Sequence, residues 1–194
     1  MKIQIIGGGI IGLSIARSLL LKGYKYVEVI EKENDIAKHQ SSRNSGVMHA
    51  GLYYKPGSLK AKLSRDGIVK MKSFCEINQI EWEECGKVVV ATEDNQKDRL
   101  NKLFERGKKN NLKNIEILNQ NEINKKEPYV NAISGIYVPE ESIVNYKKVA
   151  NFYSQEIEAN GGKIFKNTLV KECRFDNIKN KYTLITNNGR LSES

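Results

Sequence analysis

Within its first 31 residues the chain runs strand, glycines, helix, strand, acid, and no other feature constrains the fold as tightly. Lys2 to Ile6 is a short apolar run of the kind that forms a buried strand. It enters Gly7-Gly8-Gly9-Ile10-Ile11-Gly12 directly. From Leu13 to Lys22 the apolar residues Ile15, Ala16, Leu19 and Leu20 recur at helical spacing, and Gly23 follows where a helix commonly ends. Tyr26 to Ile30 reads as a second strand and leads into Glu31. A lone glycine motif says little; in this setting each residue has a task. Gly7 permits the tight turn, Gly9 lets the backbone approach a pyrophosphate, and Gly12 lets helix and strand pack closely. The helix N-terminus adds N–H donors and a positive dipole end. Glu31, about 20 residues beyond Gly12, stands where an acid accepts hydrogen bonds from ribose hydroxyls and disfavours a 2′-phosphate. The segment therefore predicts an α/β dinucleotide-binding fold, and NADP fits it poorly.

Composition excludes several other classes. With 39% hydrophobic and 28% charged residues, the 194-residue chain reads as a globular protein of one domain, or one with a second lobe inserted. The most apolar stretch, Ile3 to Leu21, is interrupted by Gly7, Gly8, Gly9, Gly12 and Arg17, so it predicts neither a bilayer span nor a signal peptide. A cytoplasmic location is the expectation. Cys75, Cys85 and Cys173 form no CxxC pair and sit beside no histidine cluster, which argues against a metal site or a disulfide framework. The net charge of +9 comes from lysines spread along the chain, without an arginine-rich run. That pattern points away from nucleic acid and toward a solvated surface with an anionic ligand, and it permits a peripheral membrane contact.

The glycine loop does not choose between dinucleotides. After Glu31 comes a polar stretch of small residues, Lys38 to Gly51, poor in helix and strand formers. Ser41, Ser42, Asn44, Ser45 and Gly46 give a backbone able to bend around a phosphate or a flat ring. At Asn44 to Leu63, NSGVMHAGLYYKPGSLKAKL, the chain resembles the L-2-hydroxyglutarate oxidase or dehydrogenase family of D-amino-acid-oxidase-like flavoproteins. CGKVVVA (Cys85 to Ala91), KKEPYV (Lys125 to Val130), GIYVPEESIVNYKKVA (Gly135 to Ala150) and EANGGKIFKNTLVKE (Glu158 to Glu172) extend the resemblance over nearly the whole chain.

That resemblance implies FAD as cofactor and oxidation of a small dicarboxylate 2-hydroxy acid, L-2-hydroxyglutarate, to 2-oxoglutarate. The electron acceptor, whether oxygen, a quinone or a carrier, is left open. Gly7, Gly9, Gly12, Glu31, Ser41, Ser42, Arg43, Asn44, Ser45 and Gly46 become the candidate cofactor residues. Val170 joins them because it matches a family position whose backbone contacts adenine. The chemistry needs a base that titrates near neutrality to take the hydroxyl proton. Of the two histidines, His39 and His49, the second lies inside the signature and is the candidate catalytic residue. Lys55 and Tyr53 are the candidate substrate residues. Arg43 can clamp a carboxylate or a phosphate bidentately. Tyr54, Lys60 and Lys62 have packing or surface roles as the plainer alternatives.

The fold class expected is α/β: a Rossmann-like FAD-binding domain of glutathione-reductase-like topology with an inserted α+β substrate-lobe segment. The resemblance implies residues 1–86 and 145–194 for the discontinuous and incomplete FAD-binding domain, and 87–144 for part of the substrate-binding domain. Further helices are expected over about 59–80, 96–111, 120–126 and 145–160. Strands are expected over 87–92, 115–118, 136–138, 163–165, 169–175 and 181–186. Family members continue into another strand and complete the substrate domain, so the resemblance also implies that the 194 residues form an N-terminal portion. Two alternatives stay open: a related flavoprotein oxidising an amine, an amino acid or glycerol phosphate, and a non-catalytic nucleotide-binding fragment.

Overall fold

The computed structural model describes residues 2–178, 180–189 and 191–193, the last three for their backbone alone. In chain order the elements are β1 (Lys2–Ile6), α1 (Ile10–Leu21), β2 (Tyr26–Ile30), β3 (Val47–Met48), α2 (Leu59–Ile77), β4 (Trp82–Glu83), β5 (Lys87–Ala91), α3 (Lys97–Lys109), β6 (Glu116–Asn119), α4 (Gln120–Lys126), β7 (Ser134–Val138), β8 (Ser142–Val144), α5 (Tyr146–Ala159), β9 (Lys163–Phe165), β10 (Val170–Asp176), β11 (Lys181–Thr186) and β12 (Leu191–Glu193). The chain divides into two compact units, Met1–Asn44 with Asn145–Ser194, and Ser45–Val144.

The first unit carries a parallel sheet of order β1-β2-β9, with Ile5 opposite Val29 and Val29 opposite Ile164. Strands buried on both faces read as continuous apolar runs, and Val27, Val29 and Ile30 of β2 are indeed buried. Leu13, Ala16 and Leu20 form the buried stripe of α1, and Val149, Ala150, Tyr153 and Ile157 that of α5. Full burial of side chains such as Leu13 and Ile157 stabilises by roughly 1.5–3 kcal/mol each. Arg17 on α1 donates two hydrogen bonds to Glu156 on α5, at 2.5 and 3.1 Å, and lies 5.4 Å from the Tyr153 ring centroid. An antiparallel sheet, β10-β11-β12, completes this unit.

The second unit holds two small sheets, β3-β8-β4 and β5-β7-β6. In the latter, β7 pairs antiparallel with both neighbours, Ile136 facing Val89 on one side and Ile117 on the other. Leu118, Ile123 and Ala132 pack beneath it with Val88, Val90, Val130 and Tyr137. Ser58 caps α2 by accepting the Ala61 N–H, as a Ser just before a helix should. Asn119 and Glu122 form a capping box on α4.

The α/β reading holds. Residues 45–86 group by their contacts with the second unit. The cause is pairing. Val47 and Met48 bond to β8, Trp82 and Glu83 bond to the other edge of β8, and Arg65 of α2 grips Glu140 through two hydrogen bonds of 2.9 Å. Helix α1 begins at Ile10, not at Leu13, because Gly9 serves as its N-cap.

Candidate functional site

The glycine loop in the first unit is built as its sequence implies. Gly7 has φ +108°, a left-handed conformation that a glycine adopts freely, and its N–H bonds to the Ile30 carbonyl at 2.8 Å. A Cβ on Gly12 would lie 2.0 Å from the Gly7 carbonyl oxygen, so no side chain fits between the loop and α1. Gly9 accepts the Leu13 N–H at 3.0 Å as the first carbonyl of the helix. Its own Cβ would stand 3.2 Å from Ser41 Oγ. Ser41 has a definite place: its Oγ accepts the Ile10 N–H at 2.9 Å and so caps α1 from a distant loop.

Glu31 is 8% exposed and fastened from several sides. Its Oε2 accepts the Gly8 N–H at 2.6 Å and its Oε1 the Glu33 N–H at 2.9 Å. Its own N–H and carbonyl bond to Phe165 and Thr168, which tie the end of β2 to the segment around β9. Beside it opens a cavity of about 310 Å³ lined by Gly7, Gly9, Glu31, His39, Thr168 and Val170, among others. Four of the candidate cofactor residues, two glycines, the acid and Val170, are thus brought to one hollow. His39 stands at it as well, with Nε2 3.1 Å from Glu33 Oε1.

The rest of the serine-rich stretch is placed differently. Ser42, Arg43 and Asn44 are exposed on a turn closed by the His39 carbonyl, which accepts the N–H groups of Ser42 and Arg43. The Asn44 side chain donates to the Gln40 carbonyl at 2.8 Å. None of the three lines the cavity. Ser45 and Gly46 belong to the second unit, where the Gly46 carbonyl accepts the Val144 N–H at 2.9 Å.

His49, Tyr53 and Lys55 also lie in the second unit. His49 is half exposed, and its Nδ1 lies 3.1 Å from Oε2 of Glu141, a carboxylate that is 1% exposed. The other oxygen, Oε1, accepts the Ala50 N–H at 3.1 Å and pairs with Lys87 at 2.9 Å. The Lys87 ammonium lies 4.9 Å from the centroid of the Tyr53 ring. Burial, and then the Glu141 charge, push the Tyr53 hydroxyl up from its ordinary range. Tyr53 also borders a hollow of about 520 Å³ with Val90, Arg99, Leu103 and Arg106. Lys55 is exposed in the turn before α2, and Lys60 and Lys62 are exposed on that helix.

Sequence reasoning missed three residues. Glu141 and Lys87 form the charged centre beneath His49 and Tyr53. Asn110, 6% exposed, donates to the Gly51 and Tyr54 carbonyls at 2.9 and 2.8 Å and so holds the tyrosine loop. Glu141 carries no local signal, since it stands in the three-residue segment between β7 and β8, where an acid is ordinarily solvated. Among the described residues, no group of three or more His, Cys, Asp or Glu could hold a metal ion, and no helix is long and apolar enough to cross a membrane.

The parallel sheet, the glycine turn and the fastened acid define an α/β dinucleotide-binding unit. The donor set fits FAD. Each Glu31 oxygen has one backbone N–H and keeps a second lone pair for a ribose hydroxyl, and the hollow beside it contains no crowding side chain on Gly7 or Gly9. The sequence family described as FAD-dependent oxidoreductase matches residues 2–193, and the chain belongs to that family. It is 42% identical over 170 residues to human mitochondrial L-2-hydroxyglutarate dehydrogenase, covering 87% of this chain and 37% of that protein. It is 44% identical over 165 residues to L-2-hydroxyglutarate dehydrogenase of Indibacter alkaliphilus, covering 84% and 41%. The chain thus spans about two fifths of the length of such relatives. Among solved structures, the L-α-glycerophosphate oxidase of Mycoplasma pneumoniae with FAD bound matches with TM-score 0.83 at 28% identity, over 96% of this chain and 50% of that one. Glycine oxidase of Bacillus cereus matches with TM-score 0.83 at 26% identity, over 98% and 52%.

Proposed function

We propose that this chain supplies the FAD-gripping part of an enzyme that oxidises L-2-hydroxyglutarate to 2-oxoglutarate. The observation that carries the substrate is the 42–44% identity to L-2-hydroxyglutarate dehydrogenases over most of the chain. The glycerophosphate and glycine oxidases share the fold at 26–28% identity, which favours the hydroxy acid over the amine, amino-acid and glycerol-phosphate readings.

Bound FAD supplies the acceptor for two electrons, and the protein supplies position and electrostatics. In this reading Glu31 accepts hydrogen bonds from the adenosine ribose and Val170 borders the adenine. Gly9 and the N-terminus of α1 receive the pyrophosphate, with Ser41 beside it. His49 takes the hydroxyl proton at Nε2, the nitrogen not turned to Glu141. Lys55 and the Tyr53 hydroxyl meet the substrate carboxylates, and Ser42, Arg43, Asn44, Ser45 and Gly46 complete the flavin contacts. A cytoplasmic location with a peripheral membrane contact belongs to the same proposal, and fractionation of the host cell tests it.

The decisive experiment is spectroscopic. Purified chain is titrated with FAD, then mixed anaerobically with L-2-hydroxyglutarate, glycine or glycerol 3-phosphate. Perturbed flavin bands and bleaching by the hydroxy acid alone are expected. Binding without bleaching by any of the three confines the chain to nucleotide binding; bleaching by one of the other two reassigns the substrate.

A further inference from the structure

His49 is held by a carboxylate that water does not reach. Glu141 is 1% exposed, and three groups meet it: the Ala50 N–H donates to Oε1, the Lys87 ammonium forms an ion pair with Oε1 at 2.9 Å, and His49 Nδ1 lies on Oε2. The Ala50 hydrogen bond and the Lys87 ion pair both hold Oε1, which leaves Oε2 turned to the ring. A carboxylate offers acceptors alone. The hydrogen in the 3.1 Å contact therefore belongs to the imidazole, on Nδ1. A neutral ring with its proton on Nδ1 has an unprotonated Nε2, and this is the reverse of the tautomer that a solvated histidine side chain prefers.

We propose that Glu141 is a positioning residue that locks His49 with its proton on Nδ1 and keeps Nε2 ready as a proton acceptor. Its value to catalysis rests on the reading of His49 as the base; the tautomer itself does not. Three features of the structure support it. The carboxylate is buried although its neighbour Glu140 is spent on Arg65. It bonds to the backbone N–H of Ala50, the residue next to His49, so ring and main chain are fixed to one group. Lys87 counters its charge, and the Tyr53 ring lies against that ammonium.

The test is 15N NMR of the 194-residue chain labelled at histidine, at a pH of about 8.5, where an ordinary histidine is neutral. Only two histidines contribute, and H39Q assigns them. The wild-type His49 ring should show a pyrrole-like Nδ1 and a pyridine-like Nε2. The near-isosteric Glu141→Gln keeps one acceptor, which Lys87 and Ala50 claim, and turns its amide N–H toward the ring. In that variant the two nitrogen signals should exchange character, with the proton on Nε2. A wild-type ring protonated on Nε2, or a Glu141→Gln ring unchanged from wild type, overturns the proposal. If the variant does not fold, the wild-type spectrum still decides. Failure of the chain to oxidise hydroxy acids removes the enzymatic reading and leaves the tautomer result intact. A wrong tautomer removes the role of Glu141 and leaves the family assignment intact.

Discussion

The carboxylate of Glu31 accepts the Gly8 N–H at 2.6 Å, so the acid that ends β2 is bolted to the loop that begins α1. Replacing Glu31 with Ala leaves the buried Gly8 N–H and the part-buried Glu33 N–H without their acceptor. An unsatisfied buried donor costs about 1–3 kcal/mol. E31A should lower the urea midpoint and weaken FAD binding together, which denaturation and flavin titration measure. E31Q can serve only one of the two N–H groups well and should fall between.

Gly12 tolerates no side chain, since its Cβ would sit 2.0 Å from the Gly7 carbonyl oxygen. That neighbour is backbone, so either the helix or the turn must shift. Overpacking of this sort costs about 1–3 kcal/mol. G12A should lose that much stability, and it should lose most FAD-induced thermal protection, because the turn that moves is the one proposed to face the pyrophosphate.

Asp35 joins the loop after β2 to α5 and to the segment after β9 through Lys147 at 2.7 Å and Lys166 at 2.9 Å. The Lys147 hydrogen bond, and then that of Lys166, hold its carboxyl far below the usual range. A depressed carboxyl adds stability above its unfolded pKa of about 3.9 and loses it as pH falls through the folded value. The urea-midpoint gap between wild type and D35N should be full at neutral pH and should narrow below about pH 4. A gap that stays constant down to acid would show that the two lysines do not act through charge. The site is partly open to water, so the gap itself should be small.

Asn110 holds the loop that carries Tyr53, and Arg106 helps by donating to the Tyr53 carbonyl at 3.0 Å. N110A removes both amide bonds to that loop. Hydrogen exchange at residues 51–55 should accelerate about tenfold or more, the equivalent of 1.4 kcal/mol or more of local opening, while β5 and β7 stay protected. Unchanged exchange in the loop would assign its rigidity to packing of Leu52.

Much of the first unit was legible because its signals are local. Gly7, Gly12 and Glu31 declare themselves by spacing, and strands 163–165 and 181–186 fall where their residues predict, as does helix 120–126 in the second unit. What escaped depends on distant partners. Strands β3, β4 and β8 have two or three residues each and exist only through one another, so no periodicity marks them. Glu141 looks like a solvated turn acid until Lys87 and His49 converge on it. Ser41 resembles a loop serine until the end of α1 comes to it. The pairing of β3 with β8, which spans most of the second unit, leaves no local mark for the same reason.

The order of the chain has a consequence for its biogenesis. The central strand β2 needs β9 on its far edge, with Glu28 opposite Lys163, and β9 is made only after all of residues 45–144. On the ribosome the opening glycine turn must therefore wait, one sheet edge bare, until the inserted unit has emerged and its ends have met. Closing so long a loop costs entropy that an early-folding insert largely removes by bringing its own two ends together. The inserted unit thus acts as a clasp for the nucleotide fold, and its rate of folding sets how long that bare edge is open to aggregation.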